Sequence, residues 1–231
     1  MTDLELAAKF INHKHDGLSH KDIDEFKRLL REGYIDPQEF LDDGTHGSYR
    51  FAMMSDDILI DEFARYGSDS DKISLIQLGK AENYYDDWRD HPSEGIRCAL
   101  ARSGYYLDYY LDDTINVRNA ALRHMPEKMI DYVTDSTATT TITRYLMGQP
   151  NPDINLLEAH IEHSSDRIAS IYGSHTLAKF RLKLDAMKAA PDTIHKTMTE
   201  EQLRDLGNPL WARPYSILEI SNITNSNSKG L

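Results

Sequence analysis

The strongest constraint in this sequence is a near-repetition. IRCALARSGYYLDYYLDD (residues 96–113) is followed by VRNAALRHMPEKMIDYVTD (residues 117–135). Set 21 residues apart, Ile96 lies over Val117, Arg97 over Arg118, Ala99 over Ala120 and Leu100 over Ala121. ISLIQLGKAENYYDDW (73–88) precedes them in the same rhythm, at a step of 23. Each copy opens on a β-branched residue and runs into a short helix of small apolar residues. It then breaks, at Gly79–Ala81, at Gly104 or at Pro126. A second short segment closes on Trp88, Leu111 or Val133. A unit this short cannot bury its own apolar face, so neighbouring copies must stack into one core. YRFAMMSDDILIDEFARYG (49–67) reads as a degenerate copy, and TITRYLMGQPNPDINLLEAHI (141–161) as a copy with an insertion.

The flanks read as helices of a different kind. Thr2 with Glu5 makes a capping-box pattern ahead of Phe10 and Ile11. Ser19 with Asp22 opens a second helix carrying Ile23, Phe26, Leu29 and Leu30, and Gly33 is placed to end it in the left-handed conformation. Asp36-Pro37 is an N-cap followed by proline at the first helical position. Beyond the repeats, Asp153 caps a helix, and a longer helical pattern interrupted at Gly173 runs on to Pro191. Thr199 with Gln202 marks another helix start and Gly207 its end. Leu210, Trp211, Tyr215 and Ile217 are placed to cover the last layer, since a terminal repeat otherwise exposes apolar surface. The expected fold is therefore all-α, an α-solenoid with an N-terminal helical cap (1–48), a repeat region (49–161), a C-terminal helical cap (162–220) and a polar, disordered tail (221–231).

The repeat residues also carry a resemblance. VRNAALRHMPEKM and IRCALARSGYYLDYYLDD resemble the short HEAT-like, or variant leucine-rich, α-helical repeats of bacterial and phage proteins. The likeness covers residues 73–133 well and 49–161 loosely. It implies a right-handed α-solenoid and little about function, because such repeats serve unrelated partners. Pro126 in place of glycine, and Thr143 where an arginine would stand, depart from the pattern.

Charge narrows the function classes. The net charge is -12 with a pI near 5.2. A nucleic-acid binder needs a basic footprint to replace phosphate counterions, and an anionic membrane surface makes the same demand. Residues 52–136 hold 17 Asp and Glu against 9 Lys and Arg, eight of the twelve net negative charges. The single cysteine, Cys98, allows no internal disulfide and reads as a small core residue. With no apolar run of signal-peptide or membrane-span length, a cytoplasmic location is expected.

No motif assigns a reaction. Gly44 and Gly47 lack the lysine of a phosphate-binding loop. His13, His15 and His20, and the pair His160 and His163, lack a recognised ligand spacing. No catalytic residue, metal or cofactor is expected. The distinctive feature is acid interleaved with tyrosine. Tyr85, Asp86, Asp87, Tyr106, Asp108, Tyr109, Asp112, Asp113 and Asp131 are the candidate partner-binding residues, since tyrosine is enriched in binding hot spots. Arg97, Asp112 and Arg118 are the candidate rungs of a structural ladder, an acid ahead of each helix-start arginine joining adjacent layers. The expected role is a non-enzymatic scaffold for a protein partner, possessing a basic surface in its sharpest form. The alternative is a phage or mobile-element inhibitor, of the anti-CRISPR or anti-restriction kind, that mimics nucleic acid in an enzyme's basic channel.

Overall fold

The computed structural model describes residues 1–189, and these are helical with no strand among them. The expectations placed on Pro191, the Thr199–Gln202 cap, Gly207, the apolar set Leu210, Trp211, Tyr215 and Ile217, and the tail 221–231 lie outside the described residues. The chain divides into two units, residues 1–124 and 125–231, so the division falls inside the stretch read as one repeat region.

The first unit contains α1 (Asp3–Asn12), α2 (Ile23–Arg31), α3 (Gly47–Ser55), α4 (Ile60–Tyr66), α5 (Asp69–Gln77), α6 (Tyr85–Trp88), α7 (Glu94–Arg102) and α8 (Ile115–Leu122). Short 3-10 helices intervene at Pro37–Phe40, Glu82–Tyr84 and Tyr109–Asp112. The Thr2–Glu5 capping box forms, Asp36 accepts the Gln38 N–H ahead of Pro37, and Gly33 ends α2 at φ +77°. Phe10, Phe26, Phe40 and Tyr49 pack mostly edge to face, with ring centroids 4.9–6.4 Å apart. That box joins α1 and α2 to the start of α3, so the N-terminal helices share one continuous core with the layers that follow.

Four helices are built alike. α3, α5, α7 and α8 pack in succession, α3 on α5, α5 on α7 and α7 on α8. In each, the third, seventh and eighth residues are buried: Tyr49, Met53 and Met54; Asp71, Leu75 and Ile76; Ile96, Leu100 and Ala101; Val117, Ala121 and Leu122. The fourth residue is always basic: Arg50, Lys72, Arg97 and Arg118. This register corrects the sequence alignment. Asp71, not Ile73, stands in the place of Ile96, and Lys72, not Ser74, in the place of Arg97. The helices begin at 47, 69, 94 and 115, at steps of 22, 25 and 21. The stretch read as degenerate is thus a full member. The alignment slipped because a buried aspartate occupies the position where an apolar residue was sought.

Three of these helices end on the same corner. After α3, α5 and α7 the chain enters the left-handed region at Asp57, Gly79 and Gly104, with φ of +63°, +65° and +88°. The next N–H then reaches back five residues: Ile58 to Met53 O, Lys80 to Leu75 O and Tyr105 to Leu100 O, at 2.9–3.0 Å. This is a Schellman closure, which satisfies the orphan carbonyls of the last turn. One residue later the chain turns left-handed again, at Leu59, Ala81 and Tyr106, with φ of +54° to +59°. A side chain at such φ costs energy, so the corner is a fixed device that aims each short following segment the same way.

The second unit, within its described residues, opens with a 3-10 helix at Pro126–Tyr132 and continues through α9 (Thr139–Gly148), α10 (Ile154–Tyr172) and α11 (Ser174–Ala189). α10 packs against both α9 and α11. Asp153 caps α10 through the Leu156 N–H, and Gly173, at φ +86°, turns the chain into α11. Met129, Ile142, Leu157 and Ile168 are fully buried and form its centre.

Candidate functional site

Arginine at the fourth helical position joins one layer to the next. Arg50 meets Asp71 through both guanidinium edges, Nε to Oδ1 at 2.9 Å and Nη2 to Oδ2 at 2.7 Å. Its remaining nitrogen donates to Leu41 O and Asp42 O, in the loop before its own helix. Arg97 does the same one layer pair later. It pairs with Asp113 at 2.8 and 2.9 Å and donates to His91 O and Pro92 O. The Arg50–Asp71 pair is the deeper, with side chains only 8% and 6% exposed. Burial alone would raise the Asp71 carboxyl. The Arg50 guanidinium and the Ser68 hydroxyl outweigh that and hold it below the usual carboxylate range. Asp113 is likewise held low, chiefly by its bond to Arg97.

The ladder therefore exists in a different register from the one expected. Asp112 is exposed and pairs with no described residue, whereas its neighbour Asp113 carries the rung. The acid follows its arginine in the chain instead of preceding it. Arg118 occupies the equivalent fourth position and is half-buried. Arg50, the deepest of the set, was missed. Its signal was available, an arginine 21 residues ahead of a capping-box aspartate, but the layer had been aligned two residues out of step.

Tyrosine supplies a second set of cross-layer bonds. Tyr84 donates to Asp61 at 3.0 Å and accepts from Arg65 at 2.9 Å. Tyr105 donates to Glu82 at 3.0 Å and Tyr106 to Asp86 at 2.6 Å, and Tyr109 donates to Asp90. Each bond reaches back 19 to 23 residues, about one layer. Burial first, then the Asp86 carboxylate, pushes the Tyr106 hydroxyl up to about 12. The bond from Tyr109 is the main influence holding Asp90 low, with Arg89 next. The Arg89 guanidinium also lies 4.9 Å from the Tyr109 ring centroid.

Two tyrosine pairs sort themselves identically. In Tyr84-Tyr85 and Tyr109-Tyr110 the first ring bonds to the preceding layer and the second is buried. Tyr110 donates to Arg89 O at 2.9 Å, and Phe63 fills the corresponding place in the layer before Tyr85. Tyr85 is 2% exposed, which removes it from the candidate partner-binding set: its ring is core, and burial pushes its hydroxyl up to about 12. Tyr106 is half-buried, and Asp113 is committed to Arg97. Cys98 is buried, and that burial pushes its thiol up.

What remains outside is an acidic edge on the first unit. Asp87, Asp108 and Asp112 are exposed, and their side chains form no hydrogen bond or ion pair with a described residue. Asp86 is exposed with Tyr106 on one oxygen, and Tyr109 is 53% exposed. Asp108, Tyr109, Asp112, Asp113 and Thr114 line an open recess of about 500 Å³. Asp131 is exposed too, but it belongs to the second unit.

No protein-family model matches the chain, and no curated protein or solved structure matches it either. The geometry is thus the basis for any functional reading. No described helix is long and apolar enough to cross a membrane. Among the described residues, no group of three His, Cys, Asp or Glu side chains is gathered as a metal site. His15 bonds to Gly44 O at 2.6 Å, His46 caps α3, and His160 is buried against Thr143 while His163 is exposed.

Proposed function

We propose that the chain is a short α-solenoid of HEAT-like layers that serves as a non-enzymatic, cytoplasmic docking scaffold. Its acidic edge, Asp87, Asp108 and Asp112 with Tyr109, recognises a protein partner with a basic surface. The observation that carries this reading is the division of labour among the carboxylates. Asp71, Asp90 and Asp113 are tied into layer-to-layer bonds, while Asp87, Asp108 and Asp112 stand free on the segments those bonds hold in place. A charged surface fixed before binding pays little ordering cost, and opposite charge steers the partner to it.

The test is capture of the tagged protein's partner from nuclease-treated lysate of its native cells, at low and moderate salt. A matched bait with Asp87, Asp108 and Asp112 changed to lysine runs alongside. The reading predicts a basic partner retained by the native chain at low salt and lost by the reversed one. Equal retention by both baits contradicts it. Competition by DNA would place the partner among nucleic-acid enzymes, the setting for a nucleic-acid mimic; indifference to DNA leaves a scaffold.

A further inference from the structure

The second unit contains a polar seam between two of its helices. Thr143 of α9 meets the His160 ring of α10 at 2.8 Å, both fully buried. One turn earlier on α9 stands Thr139, and one turn later on α10 stands Ser164, each buried. Both line a cleft of about 210 Å³, whose other walls are the loop entering α9, with Thr134 and Ser136, and the α10 turn that carries Arg167.

Three observations give this cleft a chemical preference. α9 begins at its wall with Ala138 in the N-cap position, which has no side chain to cap the helix, and the Asp135 carboxylate accepts the Thr137 N–H just ahead of it. A ten-residue helix so placed turns its first N–H groups and the positive end of its dipole toward this wall. Thr139, the first residue of α9, is 1% exposed, and its hydroxyl has no partner among the described residues. Buried hydroxyls are nearly always paired, so this one points to a missing acceptor or donor. Arg167 lines the cleft, is exposed, and forms no ion pair with a described residue.

We propose that this cleft binds a phosphate group, either free phosphate or the head of a small phosphate ester. A tetrahedral oxyanion accepts hydrogen bonds from several directions at once, which matches helix-start N–H groups, the Thr134 and Ser136 hydroxyls and one guanidinium, while the Ser164 hydroxyl donates to Val133 O. Glu162 and Asp166 line the same cleft and oppose an anion. Both are exposed and solvated, so they weaken binding to the millimolar range without abolishing it.

The test is a titration of the whole chain with sodium phosphate, and separately with glycerol 3-phosphate, read by amide chemical shifts at constant ionic strength. Sodium chloride is the control. The expected result is saturable shifts at Thr139, Thr140, Thr141 and Ser164 by roughly 20 mM phosphate, weakened about tenfold in Arg167→Ala. Arg167 is exposed, so that variant keeps the fold. Tighter binding of the ester would identify an ester as the ligand, and equal binding would identify free phosphate. No saturable shift, shifts reproduced by chloride, or shifts indifferent to Arg167→Ala would overturn the proposal. The docking reading concerns the other unit and does not depend on the outcome.

Discussion

The two units solve the same problem, the burial of polar groups among helices, in opposite ways. The deepest ion pair of the first unit is fully satisfied, although Asp56 Oδ2 is enclosed there without a hydrogen bond. Arg50 and Asp71 satisfy each other on both edges, and the leftover guanidinium nitrogen finds two backbone carbonyls. The second unit buries neutral polarity and leaves part of it unpaired. His160 shares one bond with Thr143, while His160 Nδ1 and the Thr139 hydroxyl are enclosed without a partner among the described residues. A fully paired network fixes geometry, whereas a partly paired one is sensitive to protons and to ligands. The contrast assigns rigidity to the Arg50–Asp71 rung of the first unit and responsiveness to the His160–Thr143 seam of the second.

The largest effect should come from breaking the deep ion pair. Arg50→Ala leaves Asp71 charged and buried with Ser68 but no cation, a loss of about 3–5 kcal/mol. Urea unfolding of the first unit would read it. Replacing both partners, Arg50→Met with Asp71→Leu, should restore most of that loss, because two apolar side chains need no pairing. A double variant as unstable as the single one would show that the carbonyl contacts, not the pair, hold the layer.

Acid should separate the units. Burial pushes the His160 ring down from 6.5 to about 4. Its neutral form is the folded one, so the stabilisation is complete above pH 6.5. Between 6.5 and about 4 the unfolded chain takes up a proton that the folded chain refuses, and about 3 kcal/mol is lost. Asp71 and Asp113 are lowered as well, but from the carboxylate value of 3.8, so their window lies further into acid. Their contribution persists above that value and is lost only as pH falls below it. Lowering the pH from 7 to 4.5 should therefore weaken protection of amides in α9 and α10 while sparing α3, α5 and α7. Equal weakening would erase the distinction drawn between the units.

Smaller effects would sharpen the account of the recurring corner. Gly79→Ala and Gly104→Ala each place a methyl group on a left-handed residue and should cost about 1–2 kcal/mol by thermal unfolding. Asp57 holds the equivalent position in the first layer, which an aspartate tolerates better than alanine does. Smallest is Tyr106→Phe, which deletes the bond to Asp86 and should cost about 1 kcal/mol or less.

Much of this was legible in the amino-acid order. Helical class followed from the spacing of Phe26, Leu29 and Leu30 and of Ala99, Leu100 and Ala120. The caps at Thr2 and Asp153, the left-handed Gly33 and the breaks at Gly79 and Gly104 formed where local chemistry dictated. These features depend on neighbours in sequence. The register of α5 did not follow, because an aspartate at a buried position violates apolar patterning. Only the approach of Arg50, 21 residues away, makes Asp71 acceptable there. The sorting of tyrosines was hidden for a related reason. Tyr84 and Tyr85 are chemically identical, and the twist of a four-residue helix decides which faces inward. The His160–Thr143 seam was likewise invisible, since it joins two helices through side chains that look equally at home on a surface.

The central claim is that the corners after α3, α5 and α7 are one device that holds the acidic edge in place. Residue-resolved amide hydrogen exchange tests it most directly. The account predicts that Ile58, Lys80 and Tyr105, whose N–H groups close the three corners, exchange as slowly as the helix interiors they cap. Exchange at coil rates for Lys80 and Tyr105, beside protected α5 and α7, would contradict it.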